Sequence, residues 1–326
     1  MKAAMCREFG GRVFIENVPK PKLLPGTVRI RMAMAAVNPP DILMPQGKYQ
    51  VRPPLPFAVG IEGAGVVIEV ADDVASIRAG DRVMTYAGHG CFAEEVVVPA
   101  HLVYQIPDKM SFETAAGFSL VYGTAYHALI DRGELSKGES VAILGAAGGI
   151  GLCAIQIADA VGAQAIAVAS TEEKLAVCRS NGAKAALKTT SPNLAQLLRE
   201  CSAGTKGLSV VHDTVGGALT LTALRALKPF GRHLIVGYAS GEIPLIPGNY
   251  VLLKQVDVRG VSFRQCAQDS PDVAHASIQT LLKMWNDGKL VPHISKIYAF
   301  DQMHEALDVL ARGAAIGKHL IRIADL

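Results

Sequence analysis

A run of small residues, Gly145 to Gly151, restricts the possible folds of this chain more than any other feature of its sequence. It joins a short apolar stretch, Val141–Leu144, to a stretch of helical periodicity, Gly151–Val161. Glycines in such a turn let the backbone approach a pyrophosphate and let the next helix pack closely on the strand. The helix N-terminus then offers free N–H groups to the anion. The sequence therefore predicts a dinucleotide-binding turn formed by Ala147, Gly148, Gly149, Ile150 and Gly151.

This turn is not the full G-x-G-x-x-G pattern, because Ala146 stands where the first glycine would be. An ordinary glycine-rich core turn is the alternative interpretation. The surrounding order favours the dinucleotide site, since from about residue 122 short apolar strands alternate with helices. The expected strands are 141–144, 165–169, 208–212, 233–236 and 256–260, and the expected helices are 151–161, 172–181 and 218–227. Buried strands separated by helices predict an α/β fold with a doubly wound parallel sheet.

The first 120 residues have a different pattern, in which short β-rich runs are punctuated by Gly and Pro. The expected strands are 27–37, 65–70, 81–85 and 92–98. After residue 265 the sequence indicates two amphipathic helices, 272–287 and 301–312, and a last strand, 318–323. The N-terminal part is therefore expected to be a separate β-rich domain.

The residues after the second strand of the sheet indicate which dinucleotide is bound. That strand ends at Ala169-Ser170-Thr171, about 20 residues beyond the turn, where an NAD site would carry an acid for the ribose hydroxyls. Ser170 leaves room for a 2′-phosphate, and Lys174 supplies a positive charge for it. Glu172 and Glu173 are contrary signals, although acids are also favoured in the first turn of any helix. The pattern predicts NADPH rather than NADH.

Composition excludes several other classes of protein. The chain has 326 residues, of which 50% are hydrophobic and 19% charged, and a net charge of only +3, so it is globular and has no charge pattern for nucleic acid or a membrane surface. The uncharged stretch 140–158 is interrupted by four glycines, which argues against a membrane span. The six cysteines form no C-x-x-C pair, and the N-terminus lacks a signal-peptide core, so a cytoplasmic location is expected.

Five ordered motifs resemble the medium-chain dehydrogenase/reductase superfamily. They are Val37-Asn38-Pro39-Pro40-Asp41, Gly60-Ile61-Glu62-Gly63-Ala64-Gly65, Gly80-Asp81-Arg82-Val83, Ala146 to Gly151 and Gly317-Lys318. The resemblance implies a GroES-like catalytic domain built from residues 1–121 and 266–326, and a Rossmann NADPH-binding domain of residues 122–265. The two alanines before Gly148 are similar to those of the zeta-crystallin-like NADPH:quinone oxidoreductases.

The same resemblance bears on zinc. Zinc alcohol dehydrogenases of the superfamily carry a Cys and a His where this chain has Asn38 and Ile61, and amide and aliphatic side chains are poor zinc ligands. The four clustered cysteines of the structural zinc lobe are also missing, because residues 86–95 contain only Cys91. We therefore expect no metal. Without a Lewis acid to ionise an alcohol, reduction of an electron-poor acceptor is the expected chemistry.

The resemblance also implies further site residues. Thr124, Val215, Gly237 and Tyr238 are expected near the nicotinamide, although each has an ordinary structural alternative. Phe263 is expected to line the pocket or to belong to the core, and Lys318 to reach the cofactor or only to solvate the last strand. Lys188 is expected to supply a cation where relatives carry a Tyr at the position of Thr189.

On the substrate side, Asn38 and Tyr49 resemble the polar residues that face the ring to be reduced. Asn38 is expected to donate an N–H to a developing oxyanion, and Tyr49 to donate a proton or to stack. The expected function is hydride transfer from NADPH to a quinone. Reduction of an enone or enoyl thioester, a non-catalytic NADPH-binding role and a zinc alcohol dehydrogenase are the alternatives. The strand 256–260, last in the nucleotide domain, is expected to lie at the sheet edge and to pair with a second copy in a homodimer.

Overall fold

The chain forms two compact units in the computed structural model, which describes residues 1–202, 204 and 207–326. Unit 1 comprises Met1–Leu120 and Pro292–Leu326, and unit 2 comprises Val121–Val291. The two units agree with the predicted fold class, which comprises a β-rich GroES-like domain and a doubly wound α/β domain. No helix in the described part of the chain is long and apolar enough to cross a membrane.

Unit 1 is built on two β-sheets. A three-stranded sheet has the order β2-β1-β4, and a larger sheet has the order β15-β16-β3-β5-β6-β8, with β7 paired to β3. The strands are β1 (Lys2–Cys6), β2 (Phe14–Asn17), β3 (Thr27–Ala36), β4 (Phe57–Ala58), β5 (Glu62–Val70), β6 (Arg82–Tyr86), β7 (Glu95–Pro99), β8 (Val103–Gln105), β15 (Ile294–Ala299) and β16 (Lys318–Arg322). Its helices are α1 (Pro39–Leu43), α2 (Phe112–Ala116) and α11 (Met303–Ala311), and α3 (Ser119–Tyr126) begins at its boundary.

Strand β3 explains why residues far apart in sequence meet in unit 1. It lies between β16 and β5 and runs antiparallel to both, so that Ala36 is beside Glu62 on one side and Leu320 on the other. The last residues of β3 therefore lie at the same sheet end as the first residues of β5 and β16. This end carries the polar cluster described below.

Unit 2 is a six-stranded parallel sheet with the order β11-β10-β9-β12-β13-β14. Its strands are β9 (Ser140–Leu144), β10 (Gln164–Ala169), β11 (Ala185–Lys188), β12 (Leu208–Asp213), β13 (Leu227–Ile235) and β14 (Asp257–Gly260). Its helices are α4 (Gly149–Ala160), α5 (Glu172–Ser180), α6 (Leu194–Glu200), α7 (Gly217–Ala226), α8 (Gly248–Lys254), α9 (Phe263–Asp269) and α10 (Pro271–Asn286). The strand order reverses between β9 and β12, which is the switch point at which open α/β sheets bind ligands.

The C-terminal boundary of the nucleotide domain differs from the predicted one. The sequence predicts that residues 266–326 join the β-rich domain, but the chain returns to unit 1 only after Val291. Phe263 at the start of α9 packs against Gly123, and α10 buries Ile278 and Leu281. Gln156 of α4 accepts a hydrogen bond from the N–H of Val291 and donates one to its carbonyl oxygen. An amphipathic helix pattern does not show which domain its apolar face packs on, and here that domain is unit 2.

Candidate cofactor and reaction site

The glycine turn lies between β9 and α4, as the sequence predicts. A Cβ atom at Gly151 would lie 2.5 Å from the carbonyl oxygen of Gly145 and 2.6 Å from that of Ala146, so only glycine lets the helix pack this closely. At Gly148 a Cβ atom would meet only the Gly145 oxygen, at 3.4 Å, and would otherwise project into open space. Gly148 caps α4, whose first N–H groups have no partner within the helix. The turn therefore leaves room for an anionic group beside the N-terminus of α4.

The ends of β12 and β13 lie beside this turn. A Cβ atom at Gly145 would meet the side chains of Thr214 and Val215, and Gly237 lies against the backbone of Thr214. Tyr238 is 37% exposed and lies over Gly216. The structure thus brings three of the predicted residues, Val215, Gly237 and Tyr238, to the carboxyl ends of neighbouring strands.

Asp213 stabilises this edge through hydrogen bonds, and it is not among the residues predicted from the sequence. Its Oδ1 accepts hydrogen bonds from the N–H groups of Val215 and Gly216, both at 2.9 Å. Its Oδ2 accepts from Thr220 Oγ1 at 2.5 Å and lies 3.1 Å from His233 Nε2. Burial by itself would raise the pKa of Asp213, but these hydrogen bonds outweigh burial and lower the pKa below its ordinary value. An Asp followed within three residues by Gly-Gly at a strand end is the turn signal that could have revealed it.

The predicted 2′-phosphate residues surround the ends of β10 and β11. Ser170 is exposed directly after β10, and Thr171 caps α5 by accepting a hydrogen bond from the N–H of Lys174. Lys188 is exposed at the end of β11, in register with Ala169 of β10. The last residue of β10 is Ala169, not an acid. The two acids Glu172 and Glu173 lie in the first turn of α5 and are exposed. Two hydroxyls and two lysines therefore follow neighbouring strands at one edge.

Two predicted residues lie together around α3. Thr124 is buried in α3, one residue after Gly123. The ring of Phe263 is only 2% exposed and fills the space that a side chain at Gly123 would need. The interpretation of Phe263 as a pocket wall is therefore corrected: its ring supports α3 from the interior.

A closed polar cluster occupies the end of the large sheet in unit 1. The Lys318 ammonium donates to Glu62 Oε1 at 2.7 Å, to Asn38 Oδ1 at 2.7 Å and to the Val37 carbonyl oxygen at 3.1 Å. Its side chain is 5% exposed and that of Glu62 is fully buried. The second oxygen of Glu62 accepts from the N–H of Leu120, in the first turn of α3. We refer to Asn38, Glu62 and Lys318 as the internal cluster.

The geometry of the internal cluster corrects the predicted role of Asn38. Its amide nitrogen donates to Glu62 Oε1 at 2.9 Å and to the Ala36 carbonyl oxygen at 3.1 Å, so both N–H donors are in use. Its oxygen accepts from Lys318. Asn38 is 4% exposed and has no donor left for a developing oxyanion.

Lys318 is corrected in the same way. An ammonium has three N–H donors, and in this structure each has an acceptor inside unit 1. Lys318 therefore neither solvates the last strand nor keeps a donor for a cofactor. Sequence reasoning could not distinguish these roles, because a Lys at the start of a strand is usually exposed.

Asp41 extends the internal cluster. Its Oδ2 accepts a hydrogen bond from the N–H of Asn38 at 2.7 Å. Burial raises the pKa of Asp41 to about 7, opposed by its backbone hydrogen bonds and by the charge of Lys318. Burial also raises the pKa of the neighbouring Cys91 thiol well above its ordinary value. Tyr49 lies farther along the chain, half-buried against the apolar core of unit 1.

The residues of the internal cluster do not fit a zinc ion. Asn38 and Ile61 stand at the two ligand positions, and the ammonium of Lys318 contacts both Asn38 and Glu62. A fixed positive charge repels a metal cation, and an aliphatic side chain cannot bind one. Among residues 1–202, 204 and 207–326, no group of three or more His, Cys, Asp or Glu side chains is arranged to hold a metal ion.

Comparison with known proteins identifies the family. Residues 24–108 match the alcohol dehydrogenase GroES-like domain, and residues 149–282 match the zinc-binding dehydrogenase family. Quinone oxidoreductase-like protein 2 of Bos taurus is 34% identical over 323 residues, covering 99% of this chain and 92% of the relative. Human quinone oxidoreductase is 30% identical, covering 98% and 97%. The human synaptic vesicle membrane protein VAT-1 homolog is also 30% identical, covering 98% and 86%.

The structural comparison leads to the same family. The mycobacterial protein Rv1454c, solved in complex with NADPH, superposes with a TM-score of 0.92 at 27% identity, covering 99% of this chain and all of that one. The chain therefore belongs to the medium-chain dehydrogenase/reductase superfamily, a superfamily of oxidoreductases. Within it, the relatives named quinone oxidoreductase or quinone oxidoreductase-like match nearly the whole length of this chain.

Proposed function

We propose that this chain is an NADPH-dependent, zinc-independent reductase of quinones. The observation that carries the proposal is the carboxyl edge of the parallel sheet. There a turn that tolerates no side chain at Gly151 precedes a helix N-terminus, and the strand ends bear Ser170, Lys174 and Lys188 in place of an acid. This edge fits a dinucleotide with a 2′-phosphate. The similarity to an NADPH-bound structure supports the same choice.

In this proposal, different residues hold different parts of the dinucleotide. Residues 147–151 would hold the pyrophosphate, Ser170, Lys174 and Lys188 the 2′-phosphate, and Thr124, Val215, Gly237 and Tyr238 the nicotinamide end. NADPH supplies the hydride when bound, so the protein needs only to bind, orient and exclude competing reactions. The two electrons and one proton of the hydride, with one proton from solvent, convert a quinone to a hydroquinone. Tyr49 is the side chain that we propose to face the acceptor, as a proton donor or a stacking surface.

The internal cluster supports zinc independence. Its polar atoms are matched by Lys318, Glu62 and backbone groups, with an ammonium where a metal would have to bind. None of the six cysteines, all of which lie in the described part of the chain, forms a disulfide, which supports the proposed cytoplasmic location.

We also propose a homodimer formed through β14, with a second copy of this chain as the partner. This strand ends the sheet order, and no described strand pairs with its outer side. Asp257 and Arg259 lie on the same face of β14 and contact each other at 2.7 Å. In antiparallel self-pairing centred on Val258, Asp257 of each copy would face Arg259 of the other, so the strand is complementary to itself.

The test is loss of NADPH absorbance with 9,10-phenanthrenequinone, an enone and crotonyl thioester assayed in parallel, before and after prolonged chelation. We expect turnover with the quinone, unchanged by the chelator. Turnover only with the enone or the thioester would make the chain an activated-alkene reductase. NADPH binding without turnover of any acceptor would favour a binding role. Activity lost on chelation and restored by zinc would contradict the account of the internal cluster.

A further inference from the structure

The internal cluster disagrees with the zinc-binding description of its family, and that disagreement suggests a role for Lys318. The ammonium lies 2.7 Å from Asn38 Oδ1, at one of the two ligand positions, and 2.7 Å from Glu62, the neighbour of the other. It is buried, and among the residues that the structure describes its only acidic partner within hydrogen-bonding distance is the fully buried Glu62. Two buried opposite charges with every donor matched stabilise each other, whereas either one alone would be an uncompensated buried charge.

The two oxygens of Glu62 connect Lys318 to different parts of the chain. Oε1 accepts from both Lys318 and Asn38, the residue that precedes α1. Oε2 accepts from the N–H of Leu120 at 3.1 Å. Leu120 lies in the first turn of α3, where an anion is favoured by the helix dipole, and Thr124 follows one turn later in the same helix.

We propose that Lys318 is the resident cation of this site and acts as a positioning residue. Its ammonium fixes the Glu62 side chain through their hydrogen bond, so that Glu62 in turn holds the start of α1 through Asn38 and the start of α3 through Leu120. The orientation of Thr124 at the nicotinamide end then depends on Lys318 without any contact between Lys318 and the cofactor. Only this last consequence depends on the proposed function; the ion pair does not.

The test is a double-mutant cycle with Lys318→Met, Glu62→Gln and the variant carrying both changes. Melting temperature, NADPH affinity by fluorescence titration, and the rate of NADPH oxidation are measured for each. We expect each single change to lower the melting temperature more than the double change does, because the double variant leaves no unpaired buried charge. We expect the double variant to bind NADPH within about threefold of the wild type while its kcat falls about tenfold or more.

Lys318→Arg provides a second measurement in case Lys318→Met does not fold. Arg keeps the charge but cannot place three donors around one point, so we expect part of the lost melting temperature to return and kcat to remain below the wild-type value. An NADPH affinity about tenfold or more weaker in the double variant, with additive changes in melting temperature, would overturn the proposal and make Lys318 a cofactor ligand. If no acceptor is reduced by the wild type, the proposed function fails, while melting and binding still decide whether the pair exists.

Discussion

The internal cluster of unit 1 and the carboxyl edge of the sheet in unit 2 both concentrate polar residues, but they differ in what those residues are bonded to. In the internal cluster, the amide of Asn38 and the ammonium of Lys318 are fully used by neighbours. At the sheet edge, Ser170 and Lys188 are exposed, and Gly148 leaves open space beside a helix N-terminus. A closed network organises a structure, whereas an open edge is able to bind a ligand.

The largest expected effect comes from a matched pair of changes in the glycine turn. Gly151→Val places a side chain 2.5 Å from a backbone oxygen, so the helix must shift; we expect a loss of roughly 3 kcal/mol or more in the free energy of unfolding, measured in urea. Gly148→Ala meets nothing closer than 3.4 Å, and its Cβ would enter only the space proposed for the phosphates. We expect it to keep the wild-type stability and to weaken NADPH binding. A Gly148→Ala variant that binds NADPH as tightly as the wild type would contradict the proposal that this turn holds the pyrophosphate.

The outer side of β14 is a second place in unit 2 where polar groups of the backbone have no partner strand among the described residues. The proposed homodimer would pair them. Light scattering should report about twice the 34.4 kDa chain mass for the wild type. Val258→Pro should shift the mass towards that of the monomer, because proline removes a ladder donor. Val258→Thr, which keeps the β-branched shape, should remain dimeric. A monomeric wild type at micromolar concentration would refute the edge-pairing proposal.

Asp41, beside the internal cluster, should make the stability of the protein depend on pH. Its folded pKa of about 7 lies above the usual value of 3.8, so between these values folding takes up a proton and this group makes the protein less stable as pH rises. Relative to Asp41→Asn, the wild type should lose about 1 kcal/mol per pH unit between pH 4 and 7, and nothing further above pH 7. Urea unfolding of both proteins across that range measures the difference. Parallel pH profiles would show that Asp41 is ionised in the folded protein throughout.

Much of the carboxyl edge of the sheet in unit 2 was predictable from sequence, because local strand and turn patterns determine where its strands end and its helices begin. The expected strand 165–169 and helix 172–181 correspond to β10 and α5, within one residue at each end. The roles of Asn38 and Lys318 were not predictable, because residues 280 positions apart share a hydrogen bond that only the pairing of β3 with β16 creates. Sequence motifs identify residue types suited to chemistry, but they do not show whether neighbours have already used their donors.

The central claim is that the carboxyl edge of the sheet in unit 2 binds the 2′-phosphate of NADPH. The most direct test is to compare the affinities of Lys174→Glu for NADPH and for NADH. Losing a charge-assisted contact costs roughly 1.5–3 kcal/mol, so the dissociation constant for NADPH should rise about tenfold or more, while that for NADH changes little. Lys184→Glu is the matched control, since Lys184 precedes β11 at the opposite end of the sheet and pairs with Asp159. Equal weakening of NADPH and NADH by Lys174→Glu, or the same discrimination in Lys184→Glu, would contradict the account.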